Sequence, residues 1–99
     1  MRLTIIGADR AVYTEHGVYE IPAITALIPE GVANLQLEDG RGFIEYKLDS
    51  DWNKPNNTII TELPEWAVAC RAMWDEQHNI EQEKQKAQES VDTTGTQSF

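Results

Sequence analysis

A long segment without glycine or proline follows Pro64 and continues to about Gln88. Proline is tolerated at the first helical position, and Glu65 beside it suits the positive end of a helix dipole. Residues suited to packing then recur at alternating spacings of four and three, which predicts one helix over residues 64–88. The stripe formed by this spacing contains Trp66, Cys70, Met73, Gln77 and Ile80.

The stripe is rich in apolar side chains as far as Trp74 and poor beyond it. We therefore expect two units: a β-rich head over residues 1–74, which includes the first half of the helix, and a projecting acidic helix with a flexible tail over residues 75–99. Tryptophan is enriched at interface hot spots. We expect the head to bury the helix only as far as about Trp74. The predicted partner-binding residues are Trp74, Gln77, Ile80 and Trp66, with packing against the head as the favoured alternative for Trp66.

Short strand signals separated by turns fill residues 2–62. Apolar, β-branched runs occur at residues 3–6, 11–14 and 18–21, and residues 22–31 suit one helical turn or a short 3₁₀ helix. Asp39-Gly40 is the strongest hairpin signal, and it joins alternating segments at residues 32–37 and 43–48. A short edge strand at residues 59–60 completes the pattern.

The expected fold class is α+β. It consists of a small antiparallel sheet over residues 2–62, packed by the first half of a C-terminal helix over residues 64–88. A flexible acidic tail follows the helix.

Negative charge limits the expected partners. The net charge is −9, with −5 over residues 1–74 and −4 over residues 75–99. An acidic surface repels phosphate groups, so neither nucleic acid nor an anionic membrane is an expected partner. No stretch approaches the roughly 20 apolar residues of a membrane span. The N-terminus lacks a signal-peptide pattern, so we expect a cytoplasmic protein.

Residues 49–53 resemble the start of a calcium loop. Lys54 and Ile60 stand where that loop requires glycine and glutamate, so turns capped by their own side chains are the better interpretation.

The remaining reactive side chains also favour structural roles. His16 and His78 are predicted to be solvent-exposed, because neither has further ligands at metal-binding spacing. Cys70 is the only cysteine and is predicted to be a packed core thiol. The carboxylates lie in polar runs, where nothing raises a pKa for acid catalysis. We expect no catalytic residue, no metal site and no cofactor.

Eight short phrases in the head, taken in their order and spacing, resemble a family of small proteins encoded among the tail genes of tailed bacteriophages. They are LTII at residues 3–6, RAVY at 10–13, GVY at 17–19, IPEGV at 28–32, LQ at 35–36, GFIEY at 42–46, KPNN at 54–57 and ELPEWA at 62–67. The resemblance runs from Leu3 to about Trp74. Some members of this family are regarded as tail or tail-fibre assembly proteins. The resemblance implies a virion component or an assembly chaperone, present in the host cytoplasm during assembly or in the virion tail, and it implies no catalytic residue.

The leading functional prediction is a non-enzymatic, tail-associated protein, either a tail-fibre assembly chaperone or a small virion tail adaptor. Its projecting helix would dock into a groove or bundle of a phage tail or tail-fibre protein. The alternative is an acidic phage inhibitor of a host nucleic-acid-binding enzyme, which mimics the charge of DNA and requires a continuous acidic face on the head. Self-association through the C-terminal helix is also open.

Overall fold

The computed structural model describes the backbone of residues 1–97 and the side chains of residues 1–87. Six strands and a 3₁₀ helix (Pro22–Ala26) precede one long helix, α1 (Glu65–Gln97). The strands are β1 (Arg2–Ile6), β2 (Ala11–Thr14), β3 (Gly17–Glu20), β4 (Val32–Glu38), β5 (Arg41–Tyr46) and β6 (Thr58–Ile60). The predicted α+β class is confirmed. Helix α1 continues to Gln97, beyond the end predicted near residue 88. The side chains of the predicted flexible tail, residues 90–99, lie outside the described residues.

All six strands form one antiparallel sheet in the order β3-β2-β1-β4-β5-β6. Two three-stranded meanders meet in the middle, where β4 pairs with β1. The connection between the meanders passes through the 3₁₀ helix, whose Ile24 enters the core. The sheet therefore has β3 and β6 as its two edges.

The β4–β5 hairpin turns at the predicted Asp39-Gly40 pair. Their φ angles are 50° and 79°, which is the backbone that a two-residue type I′ turn requires. This turn places Glu38 opposite Arg41. It thereby sets the register of the two strands from the hairpin end.

One face of the sheet, called the inner face here, carries the core. The register aligns Leu3 with Leu37 and Ile5 with Leu35, so alternate residues of neighbouring strands point to the same side. Helix α1 crosses this face in contact with β1 and β2. The fully or nearly fully buried core side chains are Leu3, Ile5, Val12, Ile24, Val32, Leu35, Leu37, Ile44, Ala67, Cys70 and Trp74.

Strand β5 begins and ends two residues earlier than the predicted segment 43–48. Ile44 is buried and Tyr46 is partly buried on the inner face, but Leu48, the last residue of the predicted segment, lies past the strand and is exposed. Tyr46 pairs with Val32, which is the first residue of β4. Because β4 begins there, no residue of β4 is left to pair with Leu48.

Gly42 on β5 lies too close to β4 to accept a side chain. A Cβ at this position would overlap the Gln36 carbonyl oxygen and come within 2.7 Å of the Leu37 Cα. We expect Gly42→Ala to lower the free energy of unfolding by about 3 kcal/mol, because backbone atoms must move to relieve the overlap. Urea denaturation followed by tryptophan fluorescence measures this loss.

Gly31→Ala is the matched control. Gly31 has φ 88° but open space around the Cβ position, so only backbone strain of about 1 kcal/mol is expected. Equal losses in the two variants would contradict the packing explanation.

Candidate functional site

Trp74 holds the helix against the edge of the sheet. Its side chain is only 2% exposed, so the expectation that the head's cover ends at this residue is wrong. The cover comes from Tyr19 on β3 and from His78, one helical turn further along. The Trp74 ring stacks on His78 with centroids 4.7 Å apart and meets Tyr19 at 5.4 Å in a tilted arrangement.

The rings of Tyr19, Trp74 and His78 lie against one another, and we call these three residues the aromatic clamp. The Tyr19 hydroxyl and His78 Nδ1 lie 3.0 Å apart and share a hydrogen bond. His78 is therefore partly buried, and its predicted exposure is wrong. His16 is exposed, as predicted.

Three charged residues flank the clamp. The Arg71 guanidinium carbon lies 5.5 Å from the Trp74 ring centroid, a cation–π distance. Arg71 also lies 3.3 Å from Asp75 and 3.8 Å from Glu15, in the turn between β2 and β3. Glu15 additionally accepts the Arg2 backbone N–H at 2.7 Å. These contacts connect the helix to the beginning of β1 and to the turn between β2 and β3.

The clamp carries one unfavourable feature. The Trp74 indole N–H is buried and has no hydrogen-bond partner within the described residues. An unpaired buried donor costs about 1–3 kcal/mol, whereas burying a tryptophan ring contributes about 3–5 kcal/mol, judged from truncation to alanine. Ring packing therefore outweighs the unpaired N–H, and Trp74 remains inside.

The other predicted partner-binding residues lie at different depths. Trp66 is partly buried against the core, which agrees with its packing alternative. Gln77 is partly buried and donates a hydrogen bond to Glu81 at 3.0 Å. Ile80 is 41% exposed, beyond the last clamp residue. Of the four predicted residues, Ile80 is thus the apolar side chain that the helix presents beyond the head.

The face of the sheet opposite α1, called the open face here, carries large side chains that the sequence patterns did not single out. Val18 is 48% exposed and Ile59 is 77% exposed, and Tyr13 is also exposed. Arg41, Phe43 and Ile59 line a groove of about 400 Å³ at the β5–β6 end of this face. Alternation along each strand indicated which residues share a face, but only the strand order brings these side chains together.

The open-face residues form a straight row across all six strands. Direct register pairs connect each member to the next. In strand order, the row is Val18, Tyr13, Thr4, Gln36, Phe43 and Ile59.

The loop before β6 displays a tryptophan. Asp49 Oδ1 accepts backbone hydrogen bonds from Asp51 at 2.8 Å and Asn53 at 2.9 Å, which confirms the predicted self-capping turns. Trp52 at the tip has φ 65° and an exposed ring. Its sequence position in a polar loop was the available signal, but this residue was not predicted as a contact.

The buried thiol has no electrostatic activation. Cys70 is fully buried in the core, as predicted, and burial raises its pKa to about 11. A thiol with this pKa remains protonated at neutral pH, and thiolate is the nucleophilic form. Within the described residues, no group of three or more His, Cys, Asp or Glu side chains is arranged to hold a metal ion.

Comparisons with protein-family models, with curated proteins and with solved structures give no match to this chain. Over the described residues, α1 lacks a stretch that is both long and apolar enough to span a bilayer. The surfaces available for recognition are therefore defined here by the chain's own side chains: the exposed helix beyond His78, the open face and the Trp52 loop.

Removing the Tyr19 hydroxyl tests the clamp. We expect Tyr19→Phe to lower the free energy of unfolding by about 1 kcal/mol, because the hydrogen bond to His78 is lost while the ring packing is kept. Urea denaturation measures the change. Tyr13→Phe is the matched control, since the Tyr13 hydroxyl has no hydrogen bond among the described side chains, and it should change stability by less than about 0.5 kcal/mol. Equal effects would show that the hydrogen bond contributes nothing.

The stability of the fold depends on pH through the Glu15 carboxyl group. The Arg2 backbone N–H and, more weakly, the Arg71 charge hold the pKa of the Glu15 carboxyl below its ordinary value of 4.5. The folded state therefore favours the carboxylate. Its contribution to stability is fully present above pH 4.5 and is lost as the pH falls through the lower, folded-state pKa.

We expect Glu15→Gln to have a lower free energy of unfolding than wild type at neutral pH. The difference in free energy between the two proteins should become smaller below pH 4.5. Urea titrations between pH 7 and pH 3 measure this difference. Glu62→Gln is the matched control, because this carboxylate has no hydrogen bond or ion pair in the described part of the chain, and it should change the free energy of unfolding at pH 7 less than Glu15→Gln does. A pH-independent gap for Glu15→Gln would contradict the assignment.

Proposed function

We propose that this protein is a non-enzymatic, tail-associated protein of a bacteriophage, acting as a tail-fibre assembly chaperone or a small tail adaptor. It binds a tail or tail-fibre protein through the part of α1 that follows the aromatic clamp. The observation that carries the proposal is the exposure of Ile80 on a helix that is anchored at Trp74 and His78. The series of head phrases that resembles phage tail-gene proteins supplies the biological context.

The attachment of α1 to the sheet at the clamp supports the segment beyond the clamp as the binding element. An isolated polar helix is only marginally stable in water, but the clamp fixes one end of this segment on the sheet. Pairs within the segment add modest support, with Gln77 bonded to Glu81 and Lys84 3.7 Å from Glu81. A groove on the partner would therefore bind a helix that is already ordered. This helix presents one apolar contact residue surrounded by acidic side chains.

The role assigned to Trp74 changes with the structure. A buried ring does not contact a partner in this conformation, so Trp74 positions the helix rather than touching the partner. Gln77 and Ile80 remain the proposed contacts. Trp66 belongs with Trp74 as a packing residue.

The alternative, an acidic DNA mimic, receives less support from the head. Its acidic side chains on the open face are interrupted by cations: Arg10 lies 3.3 Å from Glu20, and Lys54 lies 3.1 Å from Glu45. Mimicry of a phosphate backbone requires uninterrupted negative charge.

A pair of helix variants tests the proposed function. Ile80→Glu places a charge in the proposed contact, and we expect at least about a tenfold fall in the amount of tail or tail-fibre protein captured, because a charge must be desolvated in the groove. Capture by the tagged full chain from phage-infected cells, quantified by mass spectrometry, measures the change. Val68→Glu alters another aliphatic residue of the same helix, 52% exposed beside the head, and should leave capture unchanged.

Two results would contradict the helix proposal. Undiminished capture by Ile80→Glu would exclude the segment beyond the clamp as the contact. Loss of capture in Trp52→Ala together with normal capture in Ile80→Glu would move the partner site to the loop before β6.

A further inference from the structure

The row on the open face repeats its chemistry about the centre of the sheet. Outward from the β1–β4 boundary, each half shows a polar residue, then an aromatic ring, then a β-branched aliphatic side chain. The β1 half reads Thr4, Tyr13, Val18, and the β4 half reads Gln36, Phe43, Ile59. Such a row is complementary to its own reversed copy.

In the neighbouring row, the two strands that meet at this boundary carry charges of opposite sign. Arg2 on β1 pairs in register with Glu38 on β4, which pairs with Arg41 on β5. Neither guanidinium has an ion pair within 4.0 Å among the described residues. A reversed copy laid over this row brings Arg2 above the other copy's Glu38 and Glu38 above its Arg2.

We propose that two copies of this chain associate through their open faces, about a two-fold axis that runs parallel to the strands between β1 and β4. In this arrangement β3 of one copy lies over β6 of the other. Val18 then faces the partner copy's Ile59, Tyr13 faces its Phe43, and Arg2 faces its Glu38. The interface is isologous, so each contact occurs twice and the assembly closes at two copies.

Shape agrees with this pairing. The groove of about 400 Å³ at the β5–β6 end is lined by Phe43 and Ile59, and the exposed Tyr13 and Val18 stand at the other end. The two-fold axis brings the projecting side chains of each copy over the groove of the other. Two sheets packed face to face lie about 10 Å apart, which leaves room for one interdigitated layer of side chains.

The size of the face sets the strength of the dimer. Six strands at about 4.8 Å spacing and three rows of outward side chains give roughly 450 Å² for each copy, or about 900 Å² in total. This is at the low end for specific interfaces, so we expect a reversible dimer with a dissociation constant on the order of 10 µM. The contact uses the side of the sheet opposite α1 and does not depend on the proposed tail partner.

Charge reversal with mixing tests the geometry. Arg2→Glu places glutamate against the partner copy's Glu38, and Glu38→Arg places arginine against the partner copy's Arg2, so each variant alone should dimerise at least about tenfold more weakly than wild type. An equimolar mixture restores both cross-pairs, and we expect dimerisation to return near the wild-type level. Sedimentation equilibrium of the full chain at several concentrations measures all three cases. Because Arg2 and Glu38 are also neighbours within one chain, only recovery on mixing identifies contact between copies.

Single variants on the open face and on the helix test which surface forms the dimer. Ile59→Glu changes an exposed residue and should abolish the dimer without unfolding the chain, whereas Val68→Glu, on the helix, should leave it intact. A wild-type chain that stays monomeric at 100-fold the expected dissociation constant would overturn the proposal. So would a mixture that behaves as the two variants do separately, or a dimer lost in Ile80→Glu and kept in Ile59→Glu.

Discussion

The seating of Trp74 between Tyr19 and His78 determines how the rest of the molecule is arranged. A six-stranded sheet of this size cannot bury both faces, and the clamp fixes the helix on one of them. With the clamp in place, Ala67 and Cys70 cover Leu3, Ile5 and their neighbours. The clamp also sets where the helix leaves the sheet, because His78 is one turn beyond Trp74 and reaches the edge strand through Tyr19. Aromatic contacts of this kind contribute about 0.5–1.5 kcal/mol each beyond burial, enough to orient a helix.

Much of the head follows from local rules. The Asp39-Gly40 turn, the alternation of Leu35 and Leu37, and the start of the helix after Pro64 each depend on residues close in the sequence, and the structure has all of them. The depth of Trp74 does not follow from such rules. It depends on Tyr19, 55 positions away, and periodicity within the helix carries no information about that contact. The exposed Trp52 and the row on the open face were missed for a related reason, since alternation assigns a face but not a register.

Charge is distributed unevenly in this acidic chain. The open face carries Arg2, Arg10, Arg41 and Lys54 beside Glu20, Glu38 and Glu45, although the whole chain has net charge −9. Negative charge is consequently concentrated elsewhere, including the helix beyond the clamp. Acidic segments repel one another, which disfavours pairing of two helices and leaves the less acidic face as the better place for two copies to meet.

The two proposed contacts are compatible because they lie on opposite sides of the sheet. Helix α1 runs across the inner face towards β3, and the two-fold axis places the β3 edges at opposite ends of the dimer. The helices of the two copies therefore leave in opposite directions, and each remains free to bind. A dimer of this form presents two identical binding helices held at a fixed separation. If the partner is itself a repeated tail component, the second contact forms within the same complex and strengthens binding without any new side-chain contact. A weak dimer interface then serves this role well, since it assembles fully only where the partner brings two copies together.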